Sequence, residues 1–84
     1  MKEITVNDRG TGLMLVAGTW KHPLSYDEGK ELKETLKGLL SQPIEYGTFE
    51  VVLPEDGGGE KILIDRENAY SVYIELKRMF NTLN

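Results

Sequence analysis

Trp20, Lys21 and His22 are adjacent, and they include the only tryptophan and the only histidine of the chain. An indole, an ammonium group and an imidazole side by side make a contact patch. Aromatic and basic side chains dominate binding hot spots because they join a large buried area to directed polar bonds. Arg9, in an earlier turn, is a second cation able to converge on the same place. The expectation is therefore a ligand or partner contact formed by Arg9, Trp20, Lys21 and His22, with Lys21 as its electrostatic anchor. The competing expectation is structural. In that case Trp20 plugs the end of the core, and Lys21-His22-Pro23 is a solvated connection with Pro23 setting the entry to the next helix.

Other chemistry is thinly supplied. One imidazole without any cysteine leaves no metal site of the usual spacing, and it excludes disulfides and thiolate nucleophiles. Asp27, Glu28 and Glu31 cluster where a helix begins, and capping and the helix dipole account for them. Asp65 and Glu67 do the same for a second helix. Nothing resembles a serine triad, because Ser25 belongs to a cap, Ser41 sits at a helix end, and the single histidine must serve any base role. The run Gly57-Gly58-Gly59 invites a phosphate-loop reading, which fails on its surroundings. A P-loop needs Lys-Ser/Thr and then a helix, whereas Glu60-Lys61 leads into a strand and Glu55 and Asp56 repel phosphate. The dinucleotide fingerprint fails likewise, since neither glycine turn opens a helix. No catalytic residue, metal or cofactor is assigned, and the chain is expected not to be an enzyme.

The elements that carry these residues follow from periodicity. Glu3–Val6 alternates, placing Ile4 and Val6 on one face of a strand. Asn7–Gly12 is turn chemistry. Leu13–Ala17 is an unbroken apolar run suited to an interior strand. Ser25-Tyr26-Asp27-Glu28 has capping-box spacing, and Leu32, Leu36, Leu39 and Leu40 then form the stripe of a helix ending near Leu40. Pro43 closes it. In the second half Phe49, Val51 and Leu53 alternate with Glu50 and Val52, and Ile62-Leu63-Ile64 reads as the next strand. Asp65 or Asn68 caps a helix whose stripe is Ala69, Val72, Tyr73, Leu76, Phe80 and Leu83.

These halves align. Glu3–Val6 falls on Glu50–Leu53, Gly10 and Gly12 on Gly57 and Gly59, and Glu31-Leu32-Lys33 on Glu75-Leu76-Lys77 once a short gap is closed. The expected fold is an α+β, ββαββα two-layer single domain over 1–84. It has a four-stranded antiparallel sheet, both helices on one face, and a pseudo-twofold repeat of halves 1–42 and 43–84. The gap falls between Gly18 and Tyr26, so the Trp20–His22 stretch reads as a loop specific to the first half.

Composition narrows the class further. With 84 residues, 39% hydrophobic and 29% charged, the chain suits one modest core. A net charge of −4 opposes binding to a phosphate backbone, so no nucleic-acid partner is expected. No apolar run is long enough for a membrane span, and Met1–Val6 shows no hydrophobic signal region, so the expected location is the cytoplasm. One helical layer cannot cover both faces of the sheet. Val52 and Leu63 on the open face, with Tyr70 and Ile74 off the main stripe of the last helix, supply the surface of a homodimer or another protein interface. In type, compact, acidic and without a catalytic constellation, the chain resembles small inhibitors encoded by phages and mobile elements, though no motif carries that likeness. The leading expectation is a non-enzymatic adaptor or inhibitor working through protein–protein contacts. The alternative is a binder of a small, nucleotide-like molecule, with a site near the 18–24 loop between protomers.

Overall fold

A computed structural model describes residues 3–42, 47–54 and 59–82. Its elements are β1 (Thr5–Asp8), β2 (Leu13–Ala17), β3 (Trp20–Leu24), α1 (Tyr26–Leu40), β4 (Thr48–Val52), β5 (Lys61–Asp65) and α2 (Arg66–Thr82). The chain is α+β with two helices, and all strand pairing is antiparallel.

The sheet differs from expectation. β1, β2 and β3 form one sheet in that order, and β4 and β5 form a second, so the strands do not join into one four-stranded layer. The first half contributes three strands and the second two. The expected repeat of two ββα units is not what these elements show. The reason lies in Gly18. Its φ of 66° supplies the positive angle that the first central residue of a two-residue II′ hairpin requires. That turn folds Trp20–Leu24 back on β2, with Ala17 opposite Trp20, Leu15 opposite His22 and Leu13 opposite Leu24. Pro23 does not prevent this. In such a hairpin the Ala17–Trp20 pair closes the turn by hydrogen bonds, so bonded pairs recur at His22 and Leu24 while Pro23 turns its nitrogen to the open edge.

Alternation then sets the burial. Val6, Leu15 and His22 lie in one row across the three strands and face the core, while Lys21 and Pro23 face outward. The helices begin where the caps demand. Ser25 Oγ accepts from the Glu28 N–H at 3.0 Å, and Glu28 Oε1 accepts from the Ser25 N–H at 2.7 Å, completing the capping box. At α2 the cap is Asp65, whose Oδ1 accepts from the Asn68 N–H at 2.7 Å. Asn68 instead uses its own Oδ1 to accept from the Ile4 N–H at 3.2 Å, tying β1 to α2.

Leu32 and Leu36 of α1 and Ala69, Val72, Leu76 and Phe80 of α2 are buried in one cluster with residues of both sheets. Each such side chain contributes about 1.5–3 kcal/mol on burial. The helices pack on each other, α2 also lies beside β1 and β5, and α1 neighbours β3. Gly29 permits this approach. A Cβ there would stand 2.5 Å from Leu13 Cδ1 and 3.1 Å from Phe80 Cζ. Pro43, Gly57, Gly58 and Leu83, read above as a helix stop, turn residues and a helix contact, lie outside the described residues.

Candidate functional site

The Trp20–His22 stretch is a strand and not a loop, and β-strand alternation divides its side chains. Lys21 is exposed on the outer face, opposite Val16. His22 points inward and is only 6% exposed. A side chain two positions from Trp20 shares its face, so the two rings stack, with centroids 5.9 Å apart and planes 13° from parallel. The Trp20 indole N–H donates to Glu60 Oε2 at 3.0 Å, linking the first sheet to the residue before β5. Trp20 is thus half-buried and packed against the core. His22 Nε2 is buried and has no hydrogen-bond partner among the described residues.

Arg9 and His22 do meet at one place. An open depression of about 630 Å³ is lined by Arg9, Thr11, His22, Pro23, Ser25 and Glu28, among others. Trp20 and Lys21 do not line it. The four-residue patch expected from the sequence is therefore separated into a cavity-lining pair, a core-packed indole and an exposed lysine. The depression's carboxylate, Glu28, is held by the Ser25 amide, while Arg9 is exposed.

A further contact beside it has its signal in the sequence. Asp8-Arg9-Gly10 is an Asx-turn pattern, and Asp8 Oδ1 accepts from the Gly10 N–H at 2.9 Å. The same oxygen accepts from the Tyr26 hydroxyl at 2.8 Å. The Gly10 amide, then the Tyr26 hydroxyl, hold the Asp8 carboxyl below its ordinary value, and the bond to Asp8 raises the Tyr26 phenol. The contact pins the β1–β2 turn to the start of α1.

The second candidate set, Val52, Leu63, Tyr70 and Ile74, is also divided. Val52 and Leu63 stand on the outer face of the β4–β5 ribbon, Val52 opposite Lys61 and Leu63 opposite Glu50. They are 51% and 61% exposed. On the same face Lys61 Nζ lies 3.7 Å from Glu50 Oε1. Tyr70 and Ile74 instead line a groove of about 440 Å³ between α2 and β1, with Glu3, Ile4 and Val6 among its other walls.

No group of three or more His, Asp or Glu side chains among the described residues is arranged to hold a metal ion. None of the described helices is long and apolar enough to cross a membrane. Compared with known proteins, the chain matches no family model, no curated protein and no solved structure.

Proposed function

We propose that this chain is an interaction protein, an adaptor or inhibitor that acts through protein–protein contact and not by catalysis, and that the outer face of β4–β5 is its docking surface. The observation that carries this reading is the diagonal pair Val52 and Leu63, each more than half exposed on a ribbon whose other face packs into the core. β-Branched and leucine side chains on the wet face of a two-stranded ribbon gain nothing from folding, whereas covering each contributes about 1.5–3 kcal/mol to association. The Glu50–Lys61 ion pair borders them, an arrangement in which a small apolar centre is fenced by charge. The net charge of −4 supports a protein partner over a nucleic acid.

The test is a photo-crosslinking residue placed at position 63, with a control at exposed Lys37, in an extract of the native cells. The reading expects a discrete adduct at position 63 that the control lacks, with a protein of different mass. Adducts identical at both positions, or a self-adduct alone, would overturn it.

A second reading rests on the depression at Arg9. Its guanidinium and the Thr11 hydroxyl suit a small anionic, nucleotide-like ligand, and His22 on its wall stacks on Trp20. Trp20 fluorescence titrated with nucleotides would then change at saturable concentration, and a flat titration dismisses this reading.

A further inference from the structure

The hydrogen-bond alternation decides which backbone groups of β1 are free. The Gly18–Thr19 turn makes Ala17–Trp20 a bonded pair, so Leu15 and Leu13 also bond to β3. Met14 and Val16 therefore turn their groups toward β1, where they face Asn7 and Thr5. Ile4, Val6 and Asp8 turn their N–H and C=O groups to the outer edge, where the Ile4 N–H is already taken by Asn68 Oδ1. Two contacts agree with this phase. The Ile4 N–H reaches out to Asn68 Oδ1, and the Arg9 N–H donates to Gly12 O at 2.8 Å as the next bonded pair should. The N–H and C=O of Val6 thus form an open strand edge beside α2, at the wall of the 440 Å³ groove. The opposite edge of the sheet is blunted, because Pro23 has no N–H to offer there.

An open edge pairs most readily with an identical one around a twofold axis. Only even-numbered residues of β1 present outward groups, so an axis through Val6 is an allowed register. It sets Val6 against the partner's Val6, where both N–H···O bonds can form, and Ile4, whose N–H stays on Asn68 Oδ1 and whose C=O accepts, against the partner's Asp8, with Glu3 against the partner's Arg9. Glu3 and Arg9 are both exposed, on the same outer face of the strand as Thr5 and Asn7, and neither has an ion-pair partner among the described residues. Self-pairing in this register supplies both with opposite charges, twice. The same axis turns the strip of α2 that carries Tyr70, which is 57% exposed, and Ile74 toward its own copy.

We propose that β1 is the seam of a homodimer in which two three-stranded sheets join through Val6 and the Glu3–Arg9 pairs. This goes beyond the docking surface on β4–β5, uses different residues, and stands or falls separately from it.

The test is a charge exchange read by sedimentation and native mass spectrometry on the full chain. Wild type should run at twice the 9.5 kDa chain mass. Glu3→Arg and Arg9→Glu should each weaken the dimer about tenfold, since like charges then face each other across the seam. Mixing the two variants should restore a heterodimer of wild-type affinity. Hydrogen exchange on wild type gives a reading free of any variant: the Val6 amide should slow about tenfold or more on raising the protein from dilute to dimeric concentration. The Val52→Ser/Leu63→Ser double variant should leave the dimer unchanged. A wild-type monomer at millimolar concentration, an unrescued mixture, a Val6 amide indifferent to concentration, or a dimer abolished by the double variant would each overturn the proposal.

Discussion

The indole of Trp20 lies over the imidazole of His22, with ring centroids 5.9 Å apart and planes 13° from parallel. This stack puts the one tryptophan and the one histidine on the core side of β3, and the indole N–H bond to Glu60 anchors its outer end. The pair therefore holds the edge of the first sheet to the second half of the chain. Trp20→Ala should cost about 3 kcal/mol, the lower end for emptying a large aromatic site. Lys21→Ala should stay within about 0.5 kcal/mol, as exposed substitutions do. Urea denaturation of both variants checks this, and equal effects would contradict it.

His22 presents a different balance. Its Nε2 is buried without a partner among the described residues, and a group left so costs about 1–3 kcal/mol. His22→Phe keeps a ring to stack on Trp20 and removes the unsatisfied atom. It should stabilise the fold by about 1 kcal/mol in the same denaturation measurement. A loss larger than about 1 kcal/mol would show that the imidazole has a role in holding the fold.

Gly29 tests the packing of α1. Elsewhere in a helix Gly→Ala gains about 1 kcal/mol of propensity. Here the added methyl meets Leu13 and Phe80, and overpacking of that kind costs about 1–3 kcal/mol. Gly29→Ala should therefore lower the melting temperature, whereas exposed Gly38→Ala, with open space around its Cβ, should raise it. A rise at both positions would contradict the close approach.

The Asp8–Tyr26 contact sets a pH dependence at both ends of the scale. Asp8 titrates below its ordinary value in the folded chain, so its contribution is present above that value and is lost as pH falls below about 4. Tyr26 titrates above its ordinary value, so its contribution is present below about pH 10 and is lost as pH rises through the higher folded value. Tyr26→Phe should remove the alkaline loss and lessen the acid one, since the Gly10 N–H still bonds Asp8. Melting temperatures across pH check both limbs, and a variant profile parallel to wild type would contradict the linkage.

The elements most legible in the sequence were those fixed by local chemistry. The Ser25–Glu28 capping box forms as spaced, and the stripes that include Leu36 and Phe80 are the buried faces of their helices. β3 was illegible because Pro23 reads as a breaker. Its compatibility with a strand depends on which edge of which strand its nitrogen faces, and that is a tertiary fact. Once Trp20–Leu24 is a strand, the burial of His22 follows from its register against Leu15. The pairing of sheets was likewise beyond the sequence, because alternation tells which side chains face inward but not which edges meet. The same limit scattered the expected site. Alternation puts Val52 and Leu63 on the outer face of their ribbon, yet nothing in the spacing separates them from Tyr70 and Ile74, which lie along a different groove.

The docking claim for β4–β5 is tested most directly by the affinity of the purified protein captured at position 63. Isothermal titration should show Val52→Ser/Leu63→Ser binding that partner about a hundredfold more weakly, the equivalent of about 2.7 kcal/mol, with an unchanged melting temperature. Affinity within about twofold of wild type, with the fold intact, would contradict the account.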